Sequence, residues 1–389
     1  MIVDLHAHYP MHLDPGLRGN VWKLLRTRRG NLRIRDYFRA LGVNLASQFG
    51  NYPSLFSRPR VQVPWMSEGD VGVALSVLYS FFDEFEGHPA RGTDNLEVVL
   101  RLAETVERHI EEKHRGEAVV VHNPAELKAA NDAGTLALVH CVEGGFHLLG
   151  EAPADVEAAV DRLADRGVAY ITLAHLVWRG IATGSNAFPQ MDDEKYARRC
   201  KQPPVGLTAH RGRAAVKAMV RRGVVIDLSH MSPRGIDDVF DLLDDLDSER
   251  KVPVYATHSA CQFGPTPQEY NLSEDRVKRI AARDGVIGLI FAEYQLYDGL
   301  EKKKRKRLEE SFTAMRRHID RIRDITGSNR HVALGSDFDG FIKPTLGGLR
   351  DMRDMKDLEA AITDAYPADA RLICSENALR PLRTYWQGA

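Results

Sequence analysis

Residues 2–8 read Ile2-Val3-Asp4-Leu5-His6-Ala7-His8. A short apolar run ends here in two imidazoles, and that ending decides how the rest of the chain is read. Ile2–Leu5 has the length and aliphatic character of a buried strand. On an extended chain His6 and His8 point to the same side. The same kind of run recurs at Val71–Leu78, Leu136–Val142, Val168–Leu173, Val224–Leu228, Val254–Thr257, Val286–Ile290 and Val332–Gly335. Amphipathic stretches lie between several of them. One places Leu96, Val99, Leu100, Ala103, Val106 and Ile110 at helical spacing; another places Val156, Val160 and Leu163 and stops at Gly167. A third spans Thr208 to Arg222 with Gly223 as its stop. The next opens at Ser232-Pro233, a hydroxyl cap with proline at the first helical position.

Continuous apolar strands mark a parallel sheet covered on both faces. Eight of them alternating with helices predict an α/β fold, a closed (β/α)8 barrel of the TIM type. The rival is an open doubly wound sheet, but no strand is followed by a GxGxxG phosphate turn. The residues at the strand ends are more telling. The first run ends in His6 and His8, the third in Glu143-Gly144-Gly145, the fourth in His175. The fifth ends in Ser229-His230, the sixth in His258 and the eighth in Asp337. Barrel enzymes build their sites at this C-terminal rim, from the ends of several strands.

Imidazole nitrogens and carboxylate oxygens suit zinc and related divalent ions at catalytic sites. His6, His8 and Asp337 are the predicted ligands of one ion, and His230 with His258 of a second. Glu143 is placed to bridge them, with Gly144 and Gly145 letting the backbone crowd the metals. Two ions roughly 3.5–4 Å apart hold a bridging hydroxide at neutral pH and polarise a substrate carbonyl. Each piece has a plainer alternative. A lone HxH can meet solvent, Asp337 between Ser336 and Phe338 can serve a turn, Glu143 can be a loop carboxylate and His230 a satisfied helix-start histidine. Their shared position at strand ends argues for the metal reading. Asp227 and Asp339 read as structural, and His12, His88, His109, His114, His122, His140, His147, His210, His318 and His331 lack the shared placement.

The chain has 389 residues, 43% of them hydrophobic, enough for one large barrel. The stretch from about residue 9 to residue 70 holds Pro10, Pro15, Pro53, Pro59 and Pro64 and reads as a long insertion after strand one, within a single domain over 1–389. A formal net charge of -1 gives no field for steering nucleic acid or an anionic membrane. The basic run Lys302–Arg307, flanked by Glu301 and Glu309, reads as a solvated helix face. Cys141, Cys200, Cys261 and Cys374 show no paired spacing, which fits a reducing compartment. With no apolar span of membrane length and no basic leader, the expectation is a soluble, cytoplasmic protein.

The motifs Asp4-Leu5-His6-Ala7-His8, Glu143-Gly144-Gly145, Thr172-Leu173-Ala174-His175, Val225-Ile226-Asp227-Leu228-Ser229-His230, Thr257-His258-Ser259-Ala260, Gly335-Ser336-Asp337-Phe338-Asp339-Gly340 and Asn377-Ala378-Leu379-Arg380 resemble those of the renal (membrane) dipeptidases, zinc metallopeptidases of the amidohydrolase superfamily. The resemblance covers nearly the whole length. It implies a binuclear zinc site bridged by Glu143, with His230 and His258 on one zinc. It implies that His175 contacts the scissile carbonyl and stabilises the oxyanion, and that Asp337 binds metal and shuttles the proton to the leaving amine. A homodimer is implied as well. Two departures stand out. The family reads His-x-Asp where this chain has His6-Ala7-His8, which removes one negative charge from the site. Its carboxylate-gripping arginine is replaced by Tyr270 in Glu269-Tyr270-Asn271, the residue expected to meet substrate there, and Arg179 or Arg211 are the candidates to substitute for the lost clamp. The expected function is hydrolysis of a dipeptide or related small amide by metal-activated hydroxide. The alternatives are an N-acyl amino acid or lactone substrate, or a non-catalytic metal-binding barrel.

Overall fold

The computed structural model describes residues 1–13, 58–80, 84, 95–150, 152–188, 191–300, 307–340 and 345–388. Nine strands run in chain order: β1 Ile2–Ala7, β2 Val71–Leu78, β3 Ala118–Val121, β4 Leu136–Glu143, β5 Tyr170–Thr172, β6 Val225–Asp227, β7 Val254–Ser259, β8 Val286–Leu289 and β9 Val332–Leu334. They are hydrogen-bonded in the order β2-β1-β9-β8-β7-β6-β5-β4-β3, and a further β2–β4 pairing closes the ring. All pairings are parallel. The result is the expected eight-stranded barrel with one additional strand.

That additional strand, β3, was not expected from the sequence. It pairs with the first half of β4, from Ala118↔Leu136 to Val121↔Val139. The end of β4 pairs instead with β5, through Val142↔Ile171 and Glu143↔Thr172. β3 therefore fills the gap left beside β4 where the short β5 does not reach. It has four residues and is only half buried, so it lacks the continuous apolar run by which buried strands are recognised.

Residues from alternating positions fill the barrel, among them Val3, Leu5, Val73, Leu75, Ala137, Val139, Tyr170, Val225, Tyr255, Val286 and Ala333. Leu379, Leu382 and Trp386 from the C-terminal segment pack into the same cluster. The β1–β2 register breaks between Asp4 and Ala7. Such an irregularity re-aims side chains, and here the consecutive residues Leu5 and His6 both face the barrel interior. A second apolar layer lies between strands and helices, and includes the predicted stripe Leu96, Val99, Leu100, Ala103, Val106 and Ile110 on helix Asn95–Lys113. Ser232 caps helix Pro233–Leu246 by accepting from Gly235 N, and Gly223 ends helix Arg211–Arg222 at φ 62°. That helix starts at Arg211 rather than Thr208, because the Thr208 hydroxyl accepts the Gly212 N–H at 2.8 Å and so acts before the first turn.

Most of the stretch from Tyr9 to Asp70, and Lys302–Lys306 of the basic run, lie outside the described residues; the flanks of the former hold a short 3-10 turn, Tyr9–His12, and helix Val63–Glu68. Among the described residues no helix is long and apolar enough to cross a membrane. All four cysteines are unpaired and buried.

Candidate functional site

The strand ends deliver the expected side chains to one place. His6 and His8 come from the end of β1, Glu143 from the last position of β4 and His258 from β7. His175, His230 and Asp337 lie just beyond β5, β6 and β9. All seven are buried. Glu143 is the hub. Its Oε1 lies 3.3 Å from His6 Nε2 and 3.5 Å from the Nε2 atoms of both His230 and His258. Its Oε2 lies 3.5 Å from His8 Nε2 and 3.6 Å from His175 Nε2. Asp337 Oδ1 is 3.2 Å from His8 Nε2 and 3.9 Å from His6 Nε2.

The local backbone is bent to achieve this. His230 and Asp337 have φ values of 63° and 54°, and Asp339 one of 65°. Left-handed backbone is uncommon for non-glycine residues and clusters at functional sites. Glycine is required beside them: a Cβ on Gly340 would sit 1.8 Å from Asp337 Oδ1 and 2.6 Å from the His8 ring.

A buried network behind the rings fixes their orientation. Asp227 Oδ1 accepts from Ser229 N at 3.1 Å, the Ser229 hydroxyl at 2.9 Å and Thr257 N at 2.9 Å. Its Oδ2 accepts from the hydroxyls of Thr172 at 2.6 Å and Thr257 at 2.8 Å. The Thr257 oxygen in turn meets His258 Nδ1 at 2.9 Å. Tyr170 donates its hydroxyl to the Leu5 carbonyl at 3.1 Å, so its oxygen accepts from His6 Nδ1 at 2.8 Å. Both rings are thereby held with a proton on Nδ1 and with Nε2 turned toward Glu143, the edge that a metal would take. Asp4 ties the end of β1 to the loop after β9, accepting from His6 N and Ser336 N. Asp339 accepts from Arg60 N and Val61 N, and burial pushes its carboxyl up to about 7. Asp227 and Asp339 are thus supports around the cluster.

The donor set fits divalent cations. Three triads have ligand atoms all within 4.8 Å of one another: His6, His8 and Asp337; His6, Glu143 and His258; Glu143, His175 and His230. Glu143 Oε1 and His258 Nε2, both buried, have no hydrogen-bond partner among the described residues. Buried polar atoms left this way are rare unless an ion or water satisfies them. Burial, with the cationic neighbours His175 and His6 respectively, holds His230 and His258 well below the usual histidine range. Both are neutral, as ligation needs. Burial opposes the charge on Glu143, but His175, His6 and His8 overcome it and hold the carboxyl well below its ordinary value. Burial prevails at Asp337 and raises it, against His8 and His6.

Sequence reasoning missed Glu84. This buried carboxylate accepts from Tyr79 Oη at 2.5 Å, meets His175 Nδ1 at 2.6 Å and accepts from Val177 N at 2.8 Å. Burial opposes charge on His175, but Glu143 and Glu84 outweigh it and push the ring up to about 9. Glu84 lies several residues past the strand end, beside Asp83, and no spacing sets it apart. Tyr270 reaches the site from behind: its hydroxyl donates to the His258 carbonyl at 2.9 Å and its ring centroid lies 5.2 Å from that of His230. Arg179 donates to the carbonyls of Trp178 and Glu84.

Comparison with known proteins agrees with this geometry. The family model described as membrane dipeptidase (peptidase family M19) matches residues 33–387. The uncharacterized dipeptidase C965.12 of Schizosaccharomyces pombe is 30% identical over 260 residues, 67% of this chain and 55% of that protein. The uncharacterized dipeptidase C3A11.10c of the same yeast is 28% identical over 242 residues, 62% of this chain and 51% of that protein. The chain spans about half the length of these curated relatives. Among solved structures, the dipeptidase AC, a metallopeptidase of family M19, superposes with a TM-score of 0.71 at 24% identity, covering 100% of this chain and 99% of its own. A metallopeptidase from Rhodobacter sphaeroides, liganded with a phosphinate mimic of the dipeptide L-Ala-D-Ala, gives 0.71 at 23%, covering 99% of each chain. The two structures share the fold, and the family model spans nearly all of the sequence: this chain belongs to the membrane dipeptidase family, peptidase family M19.

Proposed function

We propose that this protein is a binuclear metallohydrolase, using zinc, that cleaves a dipeptide or a related small amide. One observation carries the reading. Buried Glu143 Oε1 is surrounded by three imidazole Nε2 atoms at 3.3–3.5 Å and hydrogen-bonded to none of them. Donor atoms so arranged suit shared cations better than shared protons. His6, His8 and Asp337 would hold one ion and His230 with His258 the other, with Glu143 between them. When bound, the ions supply Lewis acidity, polarising a carbonyl and acidifying water.

The remaining steps fall to side chains. His175 Nε2 faces the Glu143 carboxylate at 3.6 Å, so a carbonyl oxygen lodged beside Glu143 is in its reach. A donor there stabilises the negative charge that develops as the carbon becomes tetrahedral. Asp337 takes the proton released by the attacking water and returns it to the departing nitrogen. The Rhodobacter relative carries a dipeptide mimic, which supports the substrate class.

The test pairs metal analysis with hydrolysis of L-L and L-D dipeptides, N-acyl amino acids and lactones. Two ions per chain and dipeptide turnover are expected. Metal-loaded protein that hydrolyses nothing in the panel would leave a metal-binding barrel and no hydrolase. The second reading is an N-acyl amino acid or lactone, and the Tyr270 geometry favours the lactone, which carries no carboxylate. The Tyr270 hydroxyl is committed to the His258 carbonyl, so no cation is offered at that position to a substrate carboxylate. Turnover of acyl amino acids or lactones in preference to dipeptides selects it.

A further inference from the structure

Glu84 is a buried carboxylate that reaches the site through His175 without facing its centre. Its contacts are all on the far side of His175. Oε1 accepts from Val177 N at 2.8 Å, and Oε2 accepts from Tyr79 Oη at 2.5 Å and meets His175 Nδ1 at 2.6 Å. Burial and Glu84 itself push the Tyr79 phenol well above its ordinary value, so that hydroxyl keeps its proton and remains a donor. A backbone amide can only donate. With two donors already in place, the carboxylate is an acceptor, and the short contact to His175 requires the proton on Nδ1.

The opposite edge of the same ring points into the cluster, with Nε2 3.6 Å from Glu143 Oε2. The Tyr79 ring packs edge-on against His175 at a centroid distance of 4.9 Å. The bond at Nδ1, with the Tyr79 ring and the His230 ring at 4.5 Å, therefore fixes the tilt of the imidazole and keeps a proton on Nδ1, leaving Nε2 and its own proton turned into the cluster.

We infer that Glu84 is the positioning residue of His175, clamping Nδ1–H so that Nε2 is aimed at the reacting carbonyl. The inference rests on the hydrolase reading for its effect on rate, but the clamp itself is independent of it. Tyr79 and the Val177 amide hold the carboxylate in turn. Residues behind a reacting histidine typically change activity by about 10–100-fold when removed, without changing what the site binds.

The experiment uses the full, metal-loaded chain. Long-range ¹H–¹⁵N spectra of histidine-labelled wild-type protein report which ring nitrogen of His175 bears a proton. Nδ1–H, with a strongly deshielded proton, is expected, and it should vanish in Glu84→Ala. A wild-type ring protonated on Nε2 with Nδ1 bare overturns the inference whatever the enzyme does. In kinetics, Glu84→Ala should lower kcat about 10–100-fold with KM within about 3-fold and metal content unchanged. Adding Glu84→Ala to His175→Ala should cost nothing further, because the first residue acts through the second. Independent, multiplicative losses overturn the proposal, and so does loss of metal from Glu84→Ala. Should that variant not fold, the isosteric Glu84→Gln carries the same comparison. A wild-type protein inactive on every substrate defeats the hydrolase reading alone, while the spectra still decide the clamp.

Discussion

Asp227→Asn tests the logic of the network behind the rings proposed to hold metal. The carboxylate accepts five hydrogen bonds, and they are not equivalent. Oδ1 faces two backbone amides, Ser229 N and Thr257 N, with the Ser229 hydroxyl. Oδ2 faces only the hydroxyls of Thr172 and Thr257. An asparagine can therefore enter one way round. Its amide nitrogen cannot face two N–H groups, so it must take the Oδ2 position, and the Thr257 hydroxyl must turn to accept from it. The Thr257 hydrogen then points at His258 Nδ1, 2.9 Å away. That forces the proton of His258 onto Nε2, the atom meant for metal. The alternative is a mismatched hydrogen-bond pair in the interior. Either outcome penalises metal binding by about 1–3 kcal/mol, roughly 10–100-fold in affinity. His6 is affected less, because its Nδ1 is held by the Tyr170 hydroxyl at 2.8 Å and meets the Thr257 hydroxyl only at 3.3 Å. Chelator competition should show one ion weakened by that factor and the other little changed, in a protein with near wild-type circular dichroism. Two ions held with wild-type affinity in Asp227→Asn would refute the tautomer argument.

Three further outcomes are expected. Gly340→Ala places a methyl against Asp337 Oδ1 and the His8 ring, so metal analysis should find the ion held by those residues lost or weakened by at least about 10-fold, and full occupancy would contradict the packing. Asp337→Asn should abolish turnover while keeping most of the thermal stability; near wild-type rates in that variant would remove it from the proton-transfer role. The third concerns pH. His318 sits neutral in the core, accepting Cys261 N–H at Nδ1 and donating from Nε2 to the Leu296 carbonyl, and burial pushes it down to about 4. The unfolded ring, near 6.5, takes its proton first, so the unfolded state binds more protons between these values. The stability contribution is complete above about pH 6.5 and lost as pH falls towards 4, about 3 kcal/mol in all. Urea midpoints at pH 7 and pH 4.5 should diverge less in His318→Gln than in wild type, and equal divergence would exclude His318 as a source of acid lability.

The residues of the buried cluster were legible in the sequence because they break a pattern. His6, His230, His258 and Asp337 are polar residues at the points where apolar runs stop, and a parallel barrel gives those points a shared location. The supports were not legible for the opposite reason. Tyr170 lies inside an apolar run and reads as core, which it also is. Thr257 reads as an ordinary strand residue until its hydroxyl is seen between Asp227 and His258. Glu84 follows no strand end directly. β3 escaped because it is short and half exposed. Periodicity reports burial, and these residues act through the direction of a single hydrogen bond, which periodicity does not encode.

The same supports divide the cluster unevenly. His6, His258 and His175 each have Nδ1 answered, by Tyr170, Thr257 and Glu84. The Nδ1 atoms of His8 and His230 have no hydrogen-bond partner among the described residues. A ring with one nitrogen anchored is fixed in rotation and tautomer; a ring without that anchor depends on packing and backbone alone. His230 compensates through its left-handed backbone at φ 63° and through the Tyr270 and His175 rings against it. His8 is confined instead by Gly340, whose missing side chain leaves just the space the imidazole occupies. Anchoring by hydrogen bond tolerates little change of chemistry, whereas confinement by packing tolerates little change of volume. Substitutions around His6 and His258 should therefore fail when they alter a donor or acceptor, and those around His8 and His230 when they alter size.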